Sequence, residues 1–104
     1  MIDSARHYLP VRAIKRIIDS MAWIKLNVLH WHLVDDESFP IQVPSVPELW
    51  KGSFTVEERY SHWDIEEVVA YAKERGILVV PEFDIPGHGR SWCVGSRAFS
   101  GIDE

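Results

Sequence analysis

The chain has 104 residues, 46% of them hydrophobic, and a net charge of −5. That length suits one domain at most, and an acidic chain with no basic stripe argues against a nucleic-acid partner. No run approaches the ~18 consecutive apolar residues of a membrane span, residues 1–6 lack the apolar core of a secretory leader, and the lone cysteine, Cys93, can close no internal disulfide and reads as an idle or packed thiol.

In chain order, residues 1–3 read as the tail of a strand. Pro10 suits a first helical position. Val11, Ile14, Ile17, Ile18 and Met21 then follow the i, i+3, i+4 spacing of an amphipathic helix that ends near Trp23, with Trp23 itself in the core. Residues 26–31 are the next strand. Apolar on both faces (Leu26 and Val28 against Leu29 and Trp31), it suits a parallel sheet covered on both sides, with Trp31 packed between strand and helix. Residues 33–63 form a long connection containing Pro40, Pro44, Pro47 and Gly52, with a short extended piece at 39–43; ordered connections of that length are usually functional. Asp64-Ile65-Glu66-Glu67 reads as a capping box with Asp64 as the cap. It opens a helix that puts Ile65, Val68, Val69 and Ala72 on one face and stops at Gly76. Residues 77–83 are a buried strand.

The order β-α-β-loop-α-β is the repeating unit of a parallel α/β fold. A (β/α)8 barrel needs about 250 residues. Residues 1–104 therefore read as about three βα units, the N-terminal portion of an incomplete TIM barrel, with both sheet edges unpaired.

Two strand ends carry the chemistry: His30-Trp31-His32-Leu33-Val34-Asp35-Asp36-Glu37, and Glu82-Phe83-Asp84-Ile85-Pro86-Gly87-His88. Ligands of parallel α/β folds bind at the carboxyl ends of strands. His30 and His32 share a strand face. Such a pair supplies ligands in metal-dependent barrel hydrolases or holds loops through hydrogen bonds, and two imidazoles fall short of the three or four ligands a metal needs. Asp35, nearest the strand, is the candidate functional carboxylate, with Asp36 and Glu37 solvated or capping a turn. His88 stands between glycines that allow close backbone approach; Asp35 is its predicted partner, a carboxylate that holds its tautomer. Glu82 and Asp84 alternate with Val80 on one strand face, as site walls or anchors in need of partners. The guanidinium fork of Arg6, past the first strand, suits two neighbouring sugar hydroxyls or an ion pair with Asp35 or Asp36. Trp50, Trp63 and Trp92 fall in loops, where an indole can stack on a sugar.

Together these segments, with Ser4-Ala5-Arg6-His7-Tyr8-Leu9-Pro10, Ser38-Phe39-Pro40 and Pro47-Glu48-Leu49-Trp50-Lys51-Gly52-Ser53, strongly resemble the family 20 glycoside hydrolases, the β-N-acetylhexosaminidases. The resemblance implies a (β/α)8 catalytic domain that removes terminal β-linked N-acetylglucosamine or N-acetylgalactosamine from glycans with retention of configuration. It implies substrate assistance: the sugar's acetamido oxygen is the nucleophile, so no enzyme nucleophile is needed. By the same resemblance Arg6 matches the arginine that grips the 3- and 4-hydroxyls. Asp35 and His88 match the pair hydrogen-bonded to the general acid, and His32 and Glu82 match supporting positions. The family needs no metal or other cofactor, and its eukaryotic members are lysosomal, vacuolar or extracellular. The family's acid is the glutamate of a Gly-Gly-Asp-Glu motif on a later strand. No such motif occurs in these 104 residues, and the Asp103-Glu104 pair lacks its glycines. The chain on its own is therefore expected to be inactive. Two rivals remain open at this point: a non-catalytic sugar-binding module, and a metal-dependent hydrolase built on His30 and His32.

Overall fold

The computed structural model describes residues 1–83 and 88–95, with Cys93 and Gly95 by backbone alone. Asp84, the Pro86-Gly87 step, the Cys93 side chain and the Asp103-Glu104 pair lie outside the described part. Three parallel strands, β1 (Ile2–Asp3), β2 (Val28–Val34) and β3 (Leu78–Phe83), pair in the order β1-β2-β3. Between them run helix α1 (Val11–Trp23), a 3-10 helix (Pro47–Gly52) and helix α2 (His62–Glu74), and a short helix α3 (Arg90–Gly95) follows.

Helix α1 forms where its apolar spacing predicts. Ile14, Ile18 and Met21 bury, Arg12 and Arg16 face outward, and Lys15 and Asp19 reach across to Glu67 and to Tyr71 and Arg75 in and beside α2. Trp23 departs from the expected core position: it is 86% exposed. The cause is angular, since at 3.6 residues per turn two positions beyond Met21 lie roughly 200° round the helix. Pro10 is the N-cap residue rather than the first helical one. It keeps extended geometry, and its carbonyl accepts from Ala13 and Ile14 at 2.9 and 3.2 Å.

Strand β2 starts two residues later than the apolar run and ends three later. Residues 24–27 are taken up in leaving α1, where Lys25 adopts φ 62° and Leu26 N–H returns to the Met21 carbonyl at 2.9 Å. At the far end the ladder continues through both histidines, because Asp3 and Glu82 stand opposite His32 on either side. The capping box of α2 is Ser61 with Asp64, not Asp64 as cap. Ser61 Oγ accepts from Asp64 N–H at 3.1 Å and the Asp64 carboxylate accepts from Ser61 N–H at 2.8 Å. Gly76, at φ 71°, ends the helix segment as expected.

In the long connection, the extended piece is reduced to one parallel bridge, Ile41 to Tyr60. The 3-10 helix, unforeseen, begins at Pro47, which suits a first turn because it has no N–H to leave unpaired.

Leu29, Trp31 and Leu33 alternate along β2, so they share one face. That face packs with α1 and α2 into a single cluster with Phe39, Leu49 and Tyr60. The other face differs from the two-sided cover expected. Val28, Leu78 and Val80 there are 51%, 63% and 41% exposed, and no described helix lies over them. By register, Asp3, His32 and Glu82 continue that same open face to its carboxyl end. Among the described residues, no helix is long and apolar enough to cross a membrane.

Candidate active site

The chain leaving β1 is folded back by Asp3. Its Oδ1 accepts the N–H groups of Ala5 and Arg6, each at 3.1 Å, and its Oδ2 takes the Arg6 guanidinium at 2.8 Å. Trp31 fastens the same segment from below, its indole N–H donating to Ser4 Oγ at 2.8 Å in the core. Tyr60, buried against the edge of Trp31 and tilted on Tyr8, bonds the Leu9 backbone. Burial pushes its phenol upward, so it stays a neutral donor. These contacts aim Arg6 across the end of β2.

There it meets Asp35. A tight turn, with Asp35 N–H donating to the Ser38 carbonyl at 3.1 Å and Ser38 N–H returning at 3.3 Å, presents the Asp35 carboxylate inward. Its Oδ1 accepts from Asp36 N–H at 2.6 Å and stands 3.2 Å from His88 Nδ1. Its Oδ2 lies 2.7 Å from His32 Nε2 and 2.8 Å from a terminal nitrogen of Arg6. An ionised carboxylate offers about four acceptor positions, and here all four are taken on a side chain 1% exposed. Burial pushes the Asp35 carboxyl up. The Asp36 N–H, the His32 and His88 hydrogen bonds and the Arg6 charge outweigh it and leave the group at about 2. For His32 burial lowers basicity, but the Asp35 hydrogen bond and the charges of Asp3, Glu82 and Asp35 prevail and raise it.

His88 reaches Asp35 with its backbone at φ 60°, the left-handed region that a non-glycine residue rarely occupies. Its side chain stays half exposed. Asp36 turns away to accept the N–H of Arg90 at 3.0 Å, at the start of α3, and Ser91 Oγ donates to the Asp35 carbonyl at 2.5 Å. Glu37 is exposed, 3.8 Å from Arg6 Nε. Glu82 Oε1 lies 3.4 Å from His32 Nδ1, and its other oxygen contacts His30 Nε2.

The geometry thus brings Arg6, His32, Asp35, Glu82 and His88 into one connected cluster at the carboxyl ends of the strands. Both histidines of the H-x-H pair are engaged by carboxylates and share Glu82 between them, a site a metal would otherwise take. Asp35, Asp36 and His88 bring one ligand atom each within 4.8 Å of one another. Asp35 in that set already carries a guanidinium and an imidazole, which is poor chemistry for a further cation. The indoles stand differently from the loop positions expected. Trp50 lies in the 3-10 helix with its N–H on the Pro40 carbonyl at 3.1 Å, and Trp92 in α3 is edge-on to Phe39. Trp63, in the first turn of α2, is exposed beside His62.

Asp3 and Ser91 are cluster residues that no sequence motif singled out, while Asp36, expected to be solvated or to cap a turn, receives the Arg90 N–H. Asp3 had a signal: an aspartate at a strand end can accept the backbone N–H groups that follow it, the pattern of an Asx turn.

Residues 1–102 match the family model for the glycosyl hydrolase family 20 catalytic domain. Beta-hexosaminidase 3 of Arabidopsis thaliana is 54% identical over 98 residues, 94% of this chain and 18% of the relative. Beta-hexosaminidase subunit beta of Homo sapiens is 52% identical over 98 residues, 93% and 18% of the two chains. The chain therefore spans under a fifth of the length of these relatives. A crystal structure of the chitobiase of Flavobacterium johnsoniae superposes with a TM-score of 0.85 at 43% identity, over 91% of this chain and 14% of that one. A β-N-acetylhexosaminidase from Bacteroides fragilis gives 0.84 at 37% identity, over 91% and 20%. With a family match from end to end of the described sheet, the chain belongs to glycosyl hydrolase family 20.

Proposed function

We propose that these residues form the first three βα units of a (β/α)8 barrel and one side of the sugar site of a β-N-acetylhexosaminidase. The observation that carries this is the meeting of Arg6, Asp35 and His88, from the ends of β1, β2 and β3, around one buried carboxylate. Active sites of such barrels lie at that end. The open sheet face supports the barrel: Val28, Leu78 and Val80 are apolar where an interior layer would be, and Asp3, His32 and Glu82 are polar where its mouth would be.

In this function Arg6 binds the 3- and 4-hydroxyls of the terminal N-acetylhexosamine. Asp3 and Asp35 each take one N–H, one from each terminal nitrogen, and each nitrogen carries a second for the sugar. The general acid comes from outside these 104 residues. It protonates the glycosidic oxygen while the acetamido carbonyl oxygen attacks the anomeric carbon. The bond to the leaving sugar breaks, an oxazolinium forms, and water then opens it with retention. Asp35 fixes His88 through Nδ1, which leaves Nε2 as the nitrogen able to address the acid. Glu82 and His32 support Asp35. A non-catalytic sugar-binding module is not favoured, because a charge network of this kind serves proton transfer rather than the stacking and hydroxyl contacts of simple capture.

The test is a graft in which these residues replace the matched segment of the Arabidopsis relative. Against the unsubstituted graft, Arg6→Ala raises KM for an aryl β-N-acetylglucosaminide by about 10–100-fold, the worth of charge-assisted hydrogen bonds. Asp35→Asn instead lowers kcat by about 10²–10⁴-fold, the range of general acid catalysis. Folded variants with unchanged kinetics would contradict the proposal.

A further inference from the structure

The polar row that crosses the sheet has a feature the hydrolase function does not by itself require. Asp3, His32 and Glu82 stand in register on three neighbouring strands, and His32 is in the middle, 6% exposed. Both of its ring nitrogens face carboxylate oxygens, Nε2 to Asp35 at 2.7 Å and Nδ1 to Glu82 at 3.4 Å. A neutral imidazole has one N–H and one lone pair. Placed here it would turn that lone pair on one of the two anions. Only the imidazolium presents an N–H to both, as a hydrogen bond to Asp35 and as an ion-pair contact to Glu82.

The surrounding charges favour the same form. Facing His32 are Asp3 from β1, Asp35 from the exit of β2 and Glu82 from β3. Among the described residues near them, Arg6 is the permanent cation, bound to Asp3 and Asp35, and two further imidazoles, His30 and His88, are reached through Glu82 and Asp35 respectively. Three carboxylates therefore stand against one permanent cation before His32 is counted. Burial opposes a charge on His32, but a buried cation with a carboxylate at each donor is compensated in the way an unpaired one is not.

We propose that His32 is a standing imidazolium clamped between Asp35 and Glu82, and that it is a positioning residue which keeps Asp35 anionic so that His88 holds its proton on Nδ1. His30 completes the clamp by engaging the second oxygen of Glu82, which leaves the first turned to His32. The effect on the reacting sugar rests on the proposed hydrolase function. The charge state of His32 and the tautomer of His88 do not.

Ring-nitrogen NMR on the chain labelled with 15N-histidine reads both without sugar or turnover. At about pH 7.5, a unit above the ordinary histidine midpoint, His32 shows two protonated nitrogens and His88 shows a protonated Nδ1 with a bare Nε2. Glu82→Gln lowers the His32 midpoint by about one unit, a tenfold loss of proton affinity. His32→Gln leaves His88 as a mixture of tautomers. A neutral His32 at that pH, or a midpoint indifferent to Glu82→Gln, overturns the proposal. So does a spectrum in which all five histidines titrate together near the ordinary value, since the clamp would then not assemble from these residues. A protonated His32 in a folded graft that hydrolyses no hexosaminide would remove the hydrolase function and leave the clamp. A neutral His32 in an active graft would do the reverse.

Discussion

Asp35 is buried with four hydrogen-bond contacts, two of them to histidines and one to an arginine, and its acid–base behaviour follows from that company. Its folded value of about 2 lies below the ordinary aspartate value of about 3.9. Its contribution to stability is therefore complete above that ordinary value and is lost as pH falls toward 2. His32 is shifted the other way, upward, so its contribution is complete below the ordinary histidine value of about 6.5 and is lost as pH rises through the raised one. Urea midpoints should accordingly be highest between about pH 4 and 6.5 and decline on both sides, with Asp35→Asn flattening the acid branch. A midpoint constant from pH 3 to 6 would count against the cluster. Part of this was legible beforehand. Arg6, Asp35 and His88 each follow a strand end, and strand ends meet in a parallel sheet. The four-fold occupation of Asp35 was not legible, because it depends on a turn at Asp35–Ser38 and on the β2–β3 register, which no local pattern fixes. A metal role for His30 and His32 stayed open as an alternative for the same reason: their spacing shows a shared face, and only the register shows Glu82 beside them.

Among the elements, the connection between β2 and α2 does most to hold the site. Its Gly52 carbonyl accepts from Phe39 N–H at 2.9 Å, and its Cα faces α3 so closely that an added Cβ would lie 2.5 Å from the Ser91 carbonyl oxygen and 3.0 Å from Phe39 Cβ. Neither neighbour is the end of a flexible side chain. Gly52→Ala must therefore push α3 away from the turn that presents Asp35. Overpacking of this kind costs about 1–3 kcal/mol, measurable as a lower urea midpoint. The accompanying sign is a loosened Ser91–Asp35 contact, seen as faster exchange of the Arg90 amide. An alanine variant as stable as the parent would mean that α3 does not seat there. The helices were the readable elements. The α1 stripe follows from spacing, and the α2 start is a Ser-x-x-Asp box that sits three residues before the acidic run that first drew attention. The strand limits were less readable, because a polar residue such as His32 continues a ladder through its backbone whatever its side chain.

At the scale of the whole molecule, the sheet formed by the described residues is covered on one face and open on the other, with β1 and β3 at its edges. Composition could not reveal this, since a strand apolar on both faces reads the same whether a helix or a barrel interior lies against it. The open face is what a closed barrel would fill, and the proposed sugar site would need residues beyond these 104, which hold no Gly-Gly-Asp-Glu. Side by side, the isolated chain and the graft into the Arabidopsis relative test this directly through the rate at which each releases an aryl alcohol from its β-N-acetylglucosaminide. The 104 residues alone should give no turnover above background, and the graft turnover within about tenfold of the parent, a difference of no more than ~1.4 kcal/mol in the barrier. A folded graft that releases nothing, or an isolated chain that matches it, would contradict the account.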